Sequence, residues 1–198
     1  SASTSGSGKL QSVPFTSNKI KERSFSLKPS YTKVIFNERR GVEYDSIADS
    51  QNFKSIEELE NYILEKLNVI KGLSISEIER RFNLKLTKSL DKFSILIKVL
   101  LGLNIHKRNK IKEFEKFNIK QRVIRVNSET MLPYESISFK HQSMNSILDE
   151  TDFEESELLN NLEKFLFVIL KSEINKESND KIIIHDFFFW TPDNVIIN

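Results

Sequence analysis

The residues of this chain that are best able to do chemistry are cations. His106–Lys110 (HKRNK) forms a polar stretch in which Lys107, Arg108 and Lys110 are charged. Long, flexible cationic side chains in a loop readily contact phosphate groups. Lys120 and Arg122 are two residues apart, which places both on one face of a β-strand. This pair would repel Mg²⁺, because like charges at short range oppose each other.

Other catalytic arrangements are missing from the sequence. His106, His141 and His185 are isolated, and none has a second ligand at metal-binding spacing, so structural or surface roles are simpler. The chain has no cysteine and therefore no thiol nucleophile or thiolate metal site. It has no Gly-x-Ser-x-Gly elbow. Gly8-Lys9 is followed by Leu10 rather than Ser or Thr, which argues against a phosphate-binding loop.

Helices are predicted in the first half of the chain. Ser55 to Glu58 has the pattern of a capping box, and the apolar spacing after it predicts about four turns of helix. Ser74 to Glu77 repeats the box ahead of a short second helix. A third helix fits Leu90 to Leu101 and stops at Gly102.

The first two helices could form a helix-turn-helix that reads DNA. The second one, however, needs Ile78 and Phe82 for packing and leaves only Arg80 and Arg81 to point outward. We therefore favour a packing role for this pair of helices.

Strands are predicted in the second half. Ile119 to Val126 alternates, while Phe165 to Leu170 and Ile182 to Trp190 are apolar runs separated by a polar turn at Asn175 to Asp180. The two apolar runs indicate a buried hairpin, and the pattern around Leu158 to Leu162 favours a short helix before it. The prediction is an α/β fold of α+β character: a mixed β-sheet flanked by helices, with a helical N-terminal lobe.

Length and composition favour one core with an appendage. The 198 residues include 38% hydrophobic residues and 15 Phe, enough for one sizeable core. We expect residues 1–18 to be a linker or a cloning remnant, 19–50 a basic arm that packs on the body, and 51–198 the main domain. Because the sequence stops at an apolar Val195–Ile197 stretch, we also expect that C-terminal residues are missing.

Charge is unevenly distributed although the net charge is only +2. Residues 105–125 hold eight Lys and Arg against two Glu, whereas residues 149–180 hold ten acidic residues against three Lys. We therefore expect the folded molecule to have one positively charged side and one negatively charged side. The absence of cysteine and of a run near 18 apolar residues favours the cytoplasm and argues against a membrane.

The order of these segments resembles one nuclease family. IKGLSISEIERRF and KSLDKFSILIKVLLG resemble the N-terminal helical lobe of the mismatch-repair nuclease MutH and related GATC-specific restriction enzymes. EFEKFNIKQRVIRVNSETMLPYESISF resembles the segment with the family's metal-binding motif, and EKFLFVILK and IIIHDFFFW resemble the strands that follow. KERSFSLKPSY resembles the start of the second domain of the Sau-type two-domain endonuclease. The resemblance implies a restriction-endonuclease-like fold of the MutH type.

The resemblance also implies that the catalytic motif has degenerated. Active members hold Mg²⁺ with an Asp, a later Glu-x-Lys on the adjacent strand, and a Glu from the preceding helix. These positions fall on Glu113, Lys120, Arg122 and Lys98, so two of the three carboxylates have become cations. We expect no metal and no catalytic residue here. The alternative is that the alignment has slipped and these are ordinary solvated residues.

By resemblance, the chain is the catalytically inactive second domain of a GATC-specific type II restriction endonuclease. It would bind a second GATC site on double-stranded DNA and stimulate an N-terminal nuclease domain of the same polypeptide, as a pseudo-dimer. No cofactor is expected here, while the active domain would need Mg²⁺. The family's base-reading loop and last helix would lie beyond Asn198. The DNA-contact candidates are Lys88, Lys107, Arg108, Lys110, Lys120 and Arg122.

Two rivals remain open. The chain could be an active, Mg²⁺-dependent MutH-like endonuclease with its acidic residues elsewhere. It could also be a protein interaction domain that pairs with a nuclease domain through apolar surfaces without touching DNA.

Overall fold

Helices and short β-sheets are mixed in the computed structural model, which describes residues 10–12, 19–21, 27–47, 53–86, 92–107, 109–136, 164–172 and 181–191. The elements in chain order are β1 Leu10–Ser12, β2 Lys19–Lys21, α1 Pro29–Arg39, β3 Tyr44–Asp45, α2 Ile56–Asn68, α3 Ile75–Phe82, α4 Lys92–Leu100, β4 Lys110–Ile111, α5 Lys112–Lys116, β5 Ile119–Asn127, β6 Lys164–Ser172 and β7 Ile183–Trp190. The predicted α/β character is confirmed.

The main sheet has the order β5-β6-β7. β5 runs parallel to β6, and β6 runs antiparallel to β7, so the predicted mixed sheet and the predicted pairing of the two apolar runs are both confirmed. The middle strand β6 is buried from Phe165 to Leu170. A continuous apolar run is typical of a strand covered on both faces, and full burial of one such side chain contributes about 2 kcal/mol.

The main core lies between one face of this sheet and the helices. It joins side chains of α2, α3 and α4 to the sheet, namely Leu59, Ile63, Leu67, Ile75, Ile78, Leu96, Ile97, Ile119, Leu166, Val168, Leu170, Ile184 and Phe187. Ile78 of α3 is fully buried, which agrees with the packing role that we favoured for this helix.

Side-chain caps fix the starts of α2 and α3. Ser74 accepts a hydrogen bond from the Glu77 backbone N–H, and Glu77 accepts one from the Ser74 backbone N–H, which completes the predicted capping box. At α2 only half of the box forms, because Ser55 accepts from the Glu58 N–H while Glu58 accepts from the Lys54 N–H instead. Each such cap contributes about 1 kcal/mol.

The segment before α3 pairs with the edge strand β7. The backbone N–H groups of Gly72 and Ile75 donate to the carbonyls of Ile184 and Ile182, at 2.8 and 3.0 Å. Gly72 has a φ of 83°, a left-handed conformation that glycine adopts without strain. The turn at this glycine therefore positions α3 against the sheet.

Part of the basic arm is helical, which the irregular sequence pattern did not predict. α1 packs on α5: Ser30 donates to the Lys116 carbonyl at 3.0 Å, and the Lys116 ammonium lies 4.6 Å from the centre of the Tyr31 ring. Val34 is the one buried residue within α1. A single buried position gives no apolar periodicity, and this explains why the helix was missed.

The two-residue strands β3 and β4 and the five-residue helix α5 were also not predicted. Tyr44 pairs with Lys110 and Asp45 with Ile111 in a parallel arrangement. Elements this short show no measurable periodicity.

Several predictions concern residues outside those described: the helix at 158–162, the turn at 175–180, the start of the third helix at Leu90, Lys88, Arg108 and His141. Among the described helices, none has the length and apolar character needed to cross a membrane.

Candidate functional site

Lys98 occupies the position where the resemblance puts the helix carboxylate of active nucleases. Its ammonium lies 2.8 Å from an Asp45 carboxylate oxygen, and the two side chains are only 13% and 10% exposed. Lys98 also donates to the backbone carbonyls of Lys107 (3.2 Å) and Asn109. The Lys98 ammonium therefore fastens α4 to β3 and to the basic stretch His106–Lys110, which we call the basic loop.

Asp45 is the carboxylate of this cluster that the sequence analysis missed. One of its oxygens accepts from Lys98, and the other lies 3.4 Å from the side-chain nitrogen of Asn109. A carboxylate that is paired and buried in this way balances the Lys98 charge. Asp45 therefore belongs to a closed ion pair rather than to an open cation site.

Glu113 is the one carboxylate among the four positions that the resemblance assigns to the catalytic motif, and in the structure its contacts serve the fold. It is 7% exposed. One oxygen accepts from the Ser46 hydroxyl at 2.7 Å, and the other accepts from the Ile47 backbone N–H at 3.0 Å. The family pattern implies a strand at this position, whereas the structure places Glu113 on helix α5. Both oxygens thus satisfy the polar groups of the segment that follows β3.

Lys120 and Arg122 lie on the opposite face of the sheet from α4. Gln121, between them, accepts a hydrogen bond from Ser94 of α4 at 3.0 Å, and alternate residues of a strand point to opposite faces. The structure therefore does not bring Lys120 and Arg122 together with Lys98.

Arg122 lies against an aromatic cluster on that second face. Its guanidinium is 5.9 Å from the centre of the Phe165 ring, within the range of a cation–π contact. The Arg122 Nε is buried, and none of the described residues accepts a hydrogen bond from it. Phe165, Phe167 and Trp190 stack and tilt against one another beneath this side chain. The guanidinium end of Arg122 thus packs on the ring of Phe165.

Lys107 and Lys110 are the nominated cations that remain most accessible. Lys107 is 55% exposed and lies 3.2 Å from Glu43, and Lys110 is 65% exposed and lies 2.8 Å from Glu115. The hydrogen bond and positive charge of Lys107, with help from Asn109, hold the pKa of Glu43 below its ordinary value. Exposed ion pairs are weak because water screens them, so Glu43 holds Lys107 only loosely, whereas Lys110 pairs with the partly buried Glu115.

The described residues contain no group of three or more His, Asp or Glu side chains placed to hold a metal ion. Of the nominated residues, Lys107 and Lys110 are exposed in the stretch whose Lys107 and Asn109 carbonyls bind Lys98. Lys120 and Arg122 lie on the far face of the sheet, and Lys88 and Arg108 are outside the described residues.

Comparison with known proteins finds no family model that matches the chain and no curated protein with a matching sequence.

Proposed function

We propose that this chain is a non-cleaving domain that binds duplex DNA through backbone phosphates. The observation that carries the proposal is that Asp45 and Glu113, the two carboxylates nearest the basic loop, are both already bound by other groups of the protein. Lys98 is buried in an ion pair with Asp45, and both oxygens of Glu113 accept hydrogen bonds from the segment after β3. All four oxygens of Asp45 and Glu113 already accept hydrogen bonds from the protein.

Loss of cleavage follows from the chemistry that phosphodiester hydrolysis requires. Mg²⁺ prefers oxygen ligands and is usually held by one or two carboxylates. In hydrolysis the metal lowers the pKa of a bound water, which becomes the attacking hydroxide, and it stabilises the charge that develops on the phosphate. Redirecting Glu113 to Mg²⁺ would leave the Ser46 hydroxyl and the Ile47 N–H without their present acceptor. An unsatisfied buried donor costs about 1–3 kcal/mol, which opposes metal binding.

Phosphate binding is supported by the exposed cations of the basic loop. Lys107 pairs with the exposed Glu43 and Lys110 with the partly buried Glu115, while the carbonyls of Lys107 and Asn109 accept hydrogen bonds from the Lys98 ammonium. A fixed backbone that carries exposed lysines loses little conformational entropy when it binds a rigid anionic surface.

The finer part of the proposal rests on the resemblance. We propose that the chain has a restriction-endonuclease-like fold of the MutH type. It would be one domain of a GATC-specific type II restriction endonuclease that works in the cytoplasm. It would bind a second GATC site, form a pseudo-dimer with an N-terminal nuclease domain that uses Mg²⁺, and stimulate that domain allosterically. Such coupling requires the DNA to contact two states of the enzyme differently.

A protein interaction domain is the second candidate, and the exposed apolar residues at α1 favour it. Phe36 is 65% exposed and Ile35 41%, with Leu27 at 64% and Val42 at 47% on either side of the helix. Clusters of exposed apolar side chains often mark protein interfaces. This candidate predicts no DNA binding by the isolated chain.

Binding of a labelled duplex across a salt series tests the proposal. The logarithm of the affinity should fall linearly with the logarithm of the salt concentration, with a slope of about −0.9 for each phosphate neutralised. Replacing both Lys107 and Lys110 by Gln should make the slope shallower by about 1.8. Replacing the exposed Lys54, before α2, by Gln is the control and should leave the slope unchanged.

The outcomes separate the candidates. A flat salt response, or no binding, would contradict the proposal and favour the interaction domain. Shortening of the duplex when Mg²⁺ is added would instead favour the active nuclease.

A further inference from the structure

The C-terminal end of α1 carries cations that the sequence analysis left unassigned. Arg39 and Arg40 are both exposed, and no described residue forms an ion pair with either of them. The neighbouring lysines differ in this respect, because Lys107, Lys110 and Lys112 each pair with a glutamate, at 3.2, 2.8 and 2.6 Å. Among the described residues, no carboxylate therefore competes for the guanidinium groups at the end of α1.

The turn after α1 places this end of the helix near the basic loop. Gly41 has a φ of 82°, and the Val42 N–H donates back to the Asn37 carbonyl at 3.0 Å, so the chain reverses into β3. The Asn37 side chain donates to the Tyr44 hydroxyl at 2.9 Å, which holds β3 against the helix. Tyr44 is in turn the register partner of Lys110 in the β3–β4 pair.

A second link runs from the turn to the loop itself. Glu43 pairs with Lys107 across this junction. Arg39 and Arg40 therefore precede, by only a few residues, two positions that contact Lys107 and Lys110.

Helix α1 is also fixed along its length. Glu38 pairs with Lys112 of α5, and their hydrogen bond raises the pKa of Lys112 against the opposing effect of burial. Together with the bond from Ser30 to the Lys116 carbonyl, this pair sets the position of α1 before any ligand arrives. A helix whose backbone is already fixed loses less entropy when its side chains bind a ligand than a mobile segment does.

We propose that Arg39 and Arg40 extend the phosphate-binding surface of Lys107 and Lys110, so that the end of α1 contacts the DNA backbone next to the basic loop. The proposal rests on the proposed function. Arginine suits this role because its planar guanidinium binds a phosphate in a bidentate manner and is always charged. Phosphate contacts carry no sequence information, so these residues act on all duplexes alike.

A charge-neutral double variant of the full chain tests this proposal. Replacing Arg39 and Arg40 by Gln should make the salt slope shallower by about 1.8 and should weaken binding to a GATC duplex and to a scrambled duplex equally. The control replaces two exposed lysines outside α1, Lys54 and Lys85, by Gln and removes the same charge. The charge-retaining variant Arg39→Lys/Arg40→Lys should keep the wild-type slope, and thermal unfolding checks that every variant is folded.

Each outcome decides a different point. Failure of the wild-type chain to bind either duplex would overturn the proposed function, and the role of α1 with it. Wild-type binding with an unchanged slope in the Arg39/Arg40 variant would overturn the inference and leave the function standing. An equal loss in the Lys54/Lys85 control would also overturn it, because net charge alone would then explain the effect.

Discussion

Lys98 makes its contacts with three oxygen atoms, one from the Asp45 carboxylate and two from backbone carbonyls of the basic loop. A lysine so deeply placed keeps its charge only where oxygen acceptors replace the water it has lost. The residue that would repel a metal ion is therefore also a structural connection between α4, β3 and the loop.

Removal of the Lys98 charge should destabilise the protein strongly. In a Lys98→Met variant the carboxylate of Asp45 would stay buried without its cation, and breaking a buried pair from one side costs about 3 kcal/mol. Urea denaturation of Lys98→Met, with the exposed Lys54→Met as control, measures this loss. Adding Asp45→Asn should recover part of the stability. A loss below about 1 kcal/mol would mean that the pair is open to water, as exposed pairs are.

The ion pair between Glu43 and Lys107 should respond to acid in a defined direction. Because Lys107 holds the pKa of Glu43 below its ordinary value, the pair is intact above the unfolded-state pKa and is lost as the pH falls through the folded-state pKa. Side-chain NMR titration of Glu43 should show this depressed pKa, and Lys107→Gln should raise it. An identical Glu43 titration in both proteins would show that the pair is absent in solution.

The role of a residue could be predicted from the sequence only where that role does not depend on contacts with distant parts of the chain. The exposed cations Lys107 and Lys110 were nominated from the sequence, and the structure places both on the surface. Asp45 was not nominated, because its role depends on pairing between β3 and β4 across a long stretch of chain. The division of Lys98 and Lys120 between two sheet faces likewise needs tertiary packing.

Among the elements, those with a cap and an apolar period were predictable. The serine caps and the spacing of Leu59, Ile63 and Leu67 marked α2, and the second capping box marked α3. α1 begins at Pro29, its N-cap Lys28 provides no side-chain cap, and it buries only Val34, so its helical state depends on packing against α5. Tertiary contacts thus decide the elements for which local signals are weak.

The capping box of α3 should contribute measurably to stability. Ser74→Ala removes the acceptor for the Glu77 N–H and the hydroxyl that donates to Glu77 at 2.8 Å. The free energy of unfolding should fall by about 1 kcal/mol. The urea midpoint should therefore decrease, while the dependence of the unfolding free energy on urea concentration should not change. Ser128→Ala, at an exposed turn, is the matched control and should change the midpoint little. Equal midpoints for the two variants would show that the box contributes nothing beyond the packing of Ile75 and Ile78.

At the scale of the whole molecule, the sheet separates two environments. One face carries the helices and the main core, and the other carries the aromatic cluster with Arg122. The basic loop and the end of α1 lie at the junction of β3 and β4, away from that cluster in sequence and held by ion pairs and hydrogen bonds. The exposed cations Lys107 and Lys110 flank this junction, and Arg39 and Arg40 precede it by a few residues.

Our main proposal is that the chain binds DNA without cutting it. The most direct test mixes the chain and Mg²⁺ with a GATC duplex or a scrambled duplex over a range of salt concentrations, and measures both binding and DNA length. Binding is followed by anisotropy, and DNA length is checked in the same samples. We predict binding that weakens steeply with salt while both duplexes keep their full length. Shortened DNA would contradict the loss of the catalytic site, and anisotropy that stays at the value of free DNA at every salt concentration would contradict a DNA-binding function.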